Sequence, residues 1–299
     1  MRLALVQHRA VANHTENVAR GLEAVREAAG RGATLVAFPE LAFTPFFPCS
    51  RCGAPPLDMA EPVPGPTTDA FAKLAADLGT VIVLNLYERE GAKAFDSSPV
   101  IDADGRLLGT TRMLHVAQMP HFYEQDYYTP GDHGMPVYET AAGRIGVAIC
   151  YDRHYPEVMR SLGLQGADVV VVPQAGMVGE WPDGLYEAEL RVAAFQNGYF
   201  TALANRVGAE ATMTFAGESF VCDPAGRVVA RGPAGQDAIV YADLDLSELA
   251  SCHARTLFMR DRRPELVPSL LGTDQRGLPN PESRTPNPGG GSSQNGPRI

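Results

Sequence analysis

The sequence predicts an α/β protein built as a four-layer α-β-β-α sandwich. Three observations carry that expectation. Strand-helix-strand units recur along the chain, hairpins alternate with them, and two hairpins share an Asp-x-x-Gly turn, at Asp102–Gly105 and Asp223–Gly226. Two similar halves, each a sheet with helices outside it, would pack sheet against sheet. No internal repeat in the sequence is strong enough to prove the halves related.

Taken in order, Leu3 to Gln7 reads as a buried strand, and Thr15 to Gly30 as an amphipathic helix capped by Thr15. Ala33 to Phe38 is a second buried strand, closed by Pro39-Glu40-Leu41, so the first unit is β-α-β and its strands are expected parallel. Residues 44–66 form a Pro-rich loop holding Cys49 and Cys52. That spacing suits a metal or redox pair, but no second Cys or His pair follows at zinc spacing, so a plain loop is preferred. Thr68 to Leu78 is a helix, Val81 to Tyr87 a strand, and Pro99 to Thr111 a hairpin whose second strand extends through Arg112 to Val116. A loop over 117–136 carries His121, Glu124, Tyr127 and Tyr128.

The second half repeats the alternation. Ile145 to Ile149 is a strand, Pro156 to Gly166 a helix, Asp168 to Pro173 a β-branched strand, and Leu185 to Gln196 a helix. Phe200 to Ala204, the hairpin over 217–230, and Ala238 to Asp243 are strands, and Leu246 to Phe258 is mostly helical. Residues 1–270 are expected to form one domain. Residues 271–299, rich in Gly, Pro, Asn and Ser, read as a disordered tail.

Composition narrows the function class. The chain has 299 residues, 45% of them hydrophobic, and a net charge of −10 with only two lysines, Lys73 and Lys93. An acidic, lysine-poor chain argues against nucleic acid and fits a protein that takes a small molecule. No apolar run is long enough for a membrane span, and no signal peptide is read at the N-terminus. Five scattered cysteines favour a reduced, cytoplasmic protein over a disulfide framework.

The most informative stretch is Gly146 to Glu157. An apolar strand ends in Cys150, polar residues follow at once, and Pro156 opens a helix. A thiol at a strand-to-helix junction is held by rigid backbone, and a helix start beside it would lower its pKa, as a nucleophile needs. A buried, inert cysteine is the competing reading. Glu40 and Glu124 also fall where strands end or loops begin, and a carboxylate near a thiol can take its proton and later activate water. Taken singly, each reads better as a surface carboxylate.

Several motifs in order add to this. Ala37-Phe-Pro-Glu-Leu41, Phe122-Tyr-Glu124, Tyr128-Thr-Pro-Gly-Asp132, Gly143 to Arg153, Ala204-Asn-Arg206 and Gly217-Glu-Ser-Phe220 span most of residues 3–266. Together they resemble the nitrilase superfamily of carbon-nitrogen hydrolases, and around Cys150 most closely its β-ureidopropionase and N-carbamoyl amino acid or amine amidohydrolase branches. The resemblance implies the α-β-β-α fold, a homodimer or higher homo-oligomer, and no metal or organic cofactor. It implies acyl transfer to Cys150, with Glu40 as general base, Glu124 as the second carboxylate, and the Tyr151 amide as an oxyanion donor. The expected activity is cysteine-dependent hydrolysis of a small linear amide, most of all an N-carbamoyl compound.

One departure stands out. The family motif has the form Tyr/Thr-Arg-Lys-x-His, and here it reads Thr111-Arg112-Met113-Leu114-His115, so Met113 occupies the lysine position. Losing one oxyanion donor typically costs about 10²–10³ in rate. Three readings stay open. His115, on the same strand face as Met113, or Arg153 supplies the cation; the hydrolase is weakened or specialised; or the chain is a silent nitrilase-like ligand-binding protein. Retention of Cys150, Glu40 and Glu124 favours the first two. Arg153 is a candidate clamp for a substrate carboxylate, or else an ion-pair partner of Asp152 or Glu157. His154, Trp181 and Tyr186 are candidates for the pocket wall, and Asn205-Arg206 for bracing the site backbone.

Overall fold

The computed structural model describes residues 1–210 and 212–267. The first sheet is built from β1 (Arg2–Gln7), β2 (Leu35–Ala37), β3 (Val81–Val83), β4 (Leu86–Glu90), β5 (Lys93–Ile101) and β6 (Leu107–Arg112). The second uses β7 (Val137–Thr140), β8 (Gly143–Val147), β9 (Val169–Gln174), β10 (Phe200–Asn205), then, after the separate hairpin β11 (Val207–Glu210) and β12 (Met213–Ala216), β13 (Phe220–Cys222) and β14 (Val228–Arg231). The last strand, β15 (Ala238–Asp243), returns to pair antiparallel with β1, giving the first sheet the order β15-β1-β2-β3-β5-β4 with β6 on β5. The second sheet runs β14-β13-β10-β9-β8-β7. As expected for crossovers through helices, β1 pairs β2 in parallel and β8 pairs β9 in parallel.

Strand alternation creates the layers. Leu3, Leu5, Leu35, Ala37, Val81 and Val83 point from the first sheet into one core with Ile145, Val147, Val169, Val171, Ala202 and Ala204 of the second. The intervening residues face outward. Ala4, Val6, Val36 and Ile82 pack on α1 (His14–Gly30) and α2 (Pro66–Leu78), while Val170, Val172 and Leu203 pack on α3 (Pro156–Leu164) and α4 (Leu185–Asn197). This is the four-layer α-β-β-α sandwich. The two Asp-x-x-Gly turns close identically: Gly105 N–H donates to Asp102 O and Gly226 N–H to Asp223 O, both at 2.9 Å. The glycines take φ +85° and +77°, which a side chain would strain.

Several local expectations change. Asn13 rather than Thr15 caps α1, accepting from Glu16 N–H at 3.2 Å. The expected strand over 81–87 breaks at Asn85, whose buried side chain bonds across the sheet instead of continuing the ladder. The segment 246–258 holds only a short α5 (Glu248–Ser251) and a π turn at Ala254–Phe258. The strand expected through Val116 stops at Arg112. Residues 261–267 belong to a second compact unit with a 3₁₀ turn at Pro264–Leu266. The expected domain end at 270 and the tail 271–299 lie outside the described residues. No helix among the described residues is long and apolar enough to cross a membrane.

Candidate active site

Cys150 follows β8 by three residues and opens a 3₁₀ turn, Cys150–His154. Its φ is +44°, a left-handed conformation uncommon for a side chain with a β-carbon and a form of strain typical of functional sites. Leu41, beside Glu40, has the same φ of +44°. Glu40 stands on the turn after β2. Its backbone carbonyl accepts from Arg206 Nη1 at 2.9 Å, and the next amide, Leu41 N–H, donates to Asn85 Oδ1 at 2.6 Å. Glu124 begins a 3₁₀ turn and accepts from Ala117 N–H at 3.1 Å.

The fold brings these three side chains to one point. Cys150 Sγ and one carboxylate oxygen each from Glu40 and Glu124 lie within 4.8 Å of one another, with both glutamates fully buried and Cys150 5% exposed. A fourth acid, which sequence reasoning did not single out, joins them. Asp96 on β5 is fully buried, accepts from Asn85 Nδ2 at 2.6 Å, and its charge is among the causes that raise the Glu40 carboxyl. A buried polar residue at a mid-strand position is the only trace it leaves in the sequence.

Gln174, at the end of β9, was also missed. Its Nε2 donates to Cys150 Sγ at 3.2 Å, and its Oε1 accepts from Arg153 Nη1 at 2.7 Å. Arg153 is held inside the protein through Nη1, while its buried Nε and Nη2 make no hydrogen bond. The same Nη1 donates to Cys150 O at 2.8 Å, the guanidinium lies 4.4 Å from the centre of the Tyr186 ring, and Nε is 3.3 Å from Glu189. The expected ion pair of Arg153 forms with a different acid. Its acidic partner is Glu189 on α4 rather than Asp152 or Glu157, and its side chain is 1% exposed. His154 shares Glu189, with Nδ1 2.6 Å from the carboxylate, and packs edge-on against Trp181 at 5.3 Å. Tyr186 donates to Glu180, which also accepts from Met177 N–H at 3.0 Å. Tyr151, His154 and Trp181 thus form a half-buried aromatic wall.

The residues near the missing lysine behave differently from expectation. Because β6 ends at Arg112, Met113 and His115 do not follow strand alternation. Met113 is 1% exposed, lies in the inter-sheet core that includes Cys150, and donates its N–H to Asp96 O at 2.9 Å. His115 turns to Asp152 (Nδ1 to Oδ1, 2.8 Å) and stacks on Tyr155 at 3.5 Å, so it is committed to a different carboxylate. Both lysines of the chain are exposed, on α2 and at the start of β5. Asn205 and Arg206 brace the backbone as expected: Asn205 bonds Gly176 and Gly217, and Arg206 bonds Glu40, Leu41 and Thr44 carbonyls.

Burial dominates the electrostatics. It pushes the Glu40 carboxyl well above the usual range, and the charges of Asp96 and Glu124 push further. Burial likewise raises Asp96 to about 7 and, with help from Asp96, Glu124 to about 8. The Cys150 thiol is raised well above its ordinary value by burial and then by both glutamates, with Arg153 opposing. The expected lowering by a helix start is outweighed. Burial and the two glutamates thus favour the protonated thiol.

The thiol and the two glutamates are also the only grouping of potential metal ligands found among the described residues, offering one sulfur and two oxygens. Cys49 and Cys52 are free and half-buried, and the Cys52 thiol donates to Ala54 O at 2.8 Å, which suits the plain loop. Two surface hollows, about 880 Å³ beside α1 and about 550 Å³ at Met177 and the β11–β12 hairpin, contain none of the acid–thiol cluster.

Comparison with known proteins agrees with this arrangement. The family pattern described as carbon-nitrogen hydrolase matches residues 2–254. An N-carbamoylputrescine amidase of Solanum lycopersicum is 34% identical over 91% of this chain and 95% of its own. A citrullinase of Francisella tularensis is 30% identical over 91% of this chain and 98% of its own. An amidase from Nesterenkonia sp. AN1, solved with acrylamide added at its active-site cysteine, superposes with a TM-score of 0.75 at 25% identity, covering 90% of this chain and 99% of that one.

Proposed function

The chain belongs to the carbon-nitrogen hydrolase family and hydrolyses linear amides, and from that premise we propose that it cleaves the ureido group of a small N-carbamoyl amine, with Cys150 as nucleophile. The observation that carries this reading is the convergence of Cys150, Glu40 and Glu124 within 4.8 Å at a strand end. The silent ligand-binding alternative has no support among relatives, which are named enzymes.

The chemistry follows from the contacts. The Cys150 S–H bond breaks, its proton passes to Glu40, and the sulfur bonds the carbamoyl carbon. The carbonyl electron pair moves to oxygen, where the Tyr151 amide is a donor. The C–N bond then breaks, the nitrogen takes the proton back from Glu40, and the amine leaves. Water, deprotonated by Glu40, attacks the thioester and releases carbamate with the thiol restored. Glu124 positions the reacting groups. No organic cofactor is needed for these steps.

Charge at the site supports an amine over an amino acid without a second cationic group. Arg153 is committed to Glu189, Gln174 and Cys150 O, whereas Glu180, coupled electrostatically to Cys150 and Glu124, lies by the aromatic wall. An acidic wall suits a substrate whose far end carries an ammonium. The named substrates of the two relatives both combine a ureido group with an ammonium on an aliphatic chain. The test is ammonia release from N-carbamoylputrescine and from N-carbamoyl-β-alanine, with Cys150→Ala alongside. Faster turnover of the amine, lost in Cys150→Ala, is expected; preference for the ureido acid would reverse the charge argument. The five free cysteines support a cytoplasmic setting. A homodimer or higher homo-oligomer belongs to the same reading and is checked by light scattering.

A further inference from the structure

We infer that Gln174 is a further catalytic residue: its Nε2 supplies the side-chain hydrogen bonds that stabilise negative charge on the Cys150 sulfur and then on the substrate oxygen. This rests on the reading of Cys150 as the nucleophile.

The placement comes from strand register. β8 and β9 pair in parallel with Val147 opposite Val171, and the next amide, Ala148 N–H, still bonds Val171 O. Three residues further along each strand bring Cys150 and Gln174 level. The other flank of Gln174 is fixed by β10, where Asn205 is its partner and Arg206 N–H donates to its carbonyl at 3.1 Å. The side chain is fully buried, so it is held before substrate arrives.

The orientation of the amide is determined by its neighbours. Arg153 has only donors, so the atom 2.7 Å from Nη1 must be the amide oxygen, and the NH₂ group must face Sγ at 3.2 Å. The guanidinium on Oε1 draws electron density from the amide and makes its N–H groups stronger donors. Nε2 carries two N–H groups. One meets the sulfur, and the hydrogen bonds of the described residues give the second no acceptor. An oxygen on a carbon bonded to Sγ would lie within reach of that second N–H. A glutamine serving only to hold Arg153 would need its oxygen alone; here the nitrogen end is aimed at the reacting atom.

In the attack step the thiol proton goes to Glu40, the S–C bond forms, and the C=O pair moves onto oxygen. Gln174 gains or loses no atom and exchanges no proton; it strengthens hydrogen bonds as charge develops, which is the preorganised donation that oxyanion sites use.

Two variants separate donation from scaffolding. Gln174→Glu keeps an oxygen for Arg153 and loses the donor, while Gln174→Met loses both and adds no charge. With N-carbamoylputrescine, both are expected to lower kcat by about 10²–10³ with KM changed little. Iodoacetamide gives a readout independent of substrate choice: alkylation of Cys150 at about pH 8, followed by mass, is expected to slow about tenfold in both. Melting curves confirm that each variant folds. If Cys150→Ala abolishes turnover and alkylation while either Gln174 variant keeps kcat and alkylation within about threefold of native, the assignment is overturned and the nucleophile stands. If Cys150→Ala retains native turnover, the underlying reading fails, and the assignment to Gln174 fails with it.

Discussion

Glu40 and Asp96, 56 positions apart in sequence and both fully shielded from solvent, are joined in the buried site through Asn85. Burial raises both carboxyls, and the charge of Asp96 is among the causes that raise Glu40. Asn85 donates to Asp96 Oδ1 at 2.6 Å while accepting from the amide that follows Glu40.

Asp96→Asn is expected to stabilise the protein at alkaline pH. Burial raises the folded-state value from 3.8 to about 7, so between those values the folded chain holds a proton that the unfolded chain has released. Stability therefore falls as pH rises through that window, and above it the penalty is complete. Removing the acid should raise Tm by several degrees at about pH 8 and much less at about pH 4, given ~2–4 °C per kcal/mol for a chain of this size. Thermal melts at the two pH values check the difference.

Met113→Lys is expected to move the acid limb of kcat/KM to lower pH. A buried ammonium beside the acids would favour their ionised forms and the thiolate. Asp96→Asn should shift the limb in the same direction, because the Asp96 charge is one of the causes that raise Glu40. A pH–rate profile of each variant reads the shift, expected at about one unit or more. An unmoved limb would show that the Glu40–Asp96 pair does not set it.

Arg206→Met is expected to cost about 3–5 kcal/mol, because a buried charge network loses its cation. Arg206 is 1% exposed, pairs with Glu210, and donates to Glu40 O and Thr44 O, both at 2.9 Å. Its loss also frees the turn that carries Glu40, and a misplaced catalytic group can lower kcat about 10²-fold. Urea unfolding and kcat should fall together, while Arg206→Lys, with charge but no fork, should fall between.

Glu180→Gln is expected to raise KM for N-carbamoylputrescine by about 10-fold or more, the weight of a hydrogen bond to a charged group. Tyr186 O–H and Met177 N–H still find an oxygen in the glutamine, so the loop keeps its bonds. KM for a neutral amide should change much less. Equal effects on the two substrates would show that Glu180 does not face the ammonium.

Much of the architecture was legible because it depends on neighbours along the chain. The apolar run ending in Cys150, the Pro-Glu-Leu turn at Glu40, the Asp-x-x-Gly hairpins and the alternating helices all follow from local periodicity and turn chemistry. Boundaries were less legible where a side chain bonded across the sheet. Asn85 interrupts an apolar strand for that reason, and Asn13 takes the cap from Thr15 because its oxygen reaches Glu16 N–H.

By itself the sequence determined a strand-end thiol, two candidate carboxylates, the four-layer fold and the absence of a lysine at position 113. Tertiary structure alone decided what surrounds that thiol. It joined Asp96 to the Glu40 turn through Asn85, set Gln174 beside the sulfur through the β8–β9 register, turned His115 to Asp152, and tied Arg153 to Glu189. The reason is physical. Periodicity says which face a residue occupies, but a partner across two strands is fixed by register, and the direction of a pKa shift is fixed by how much water the finished core excludes.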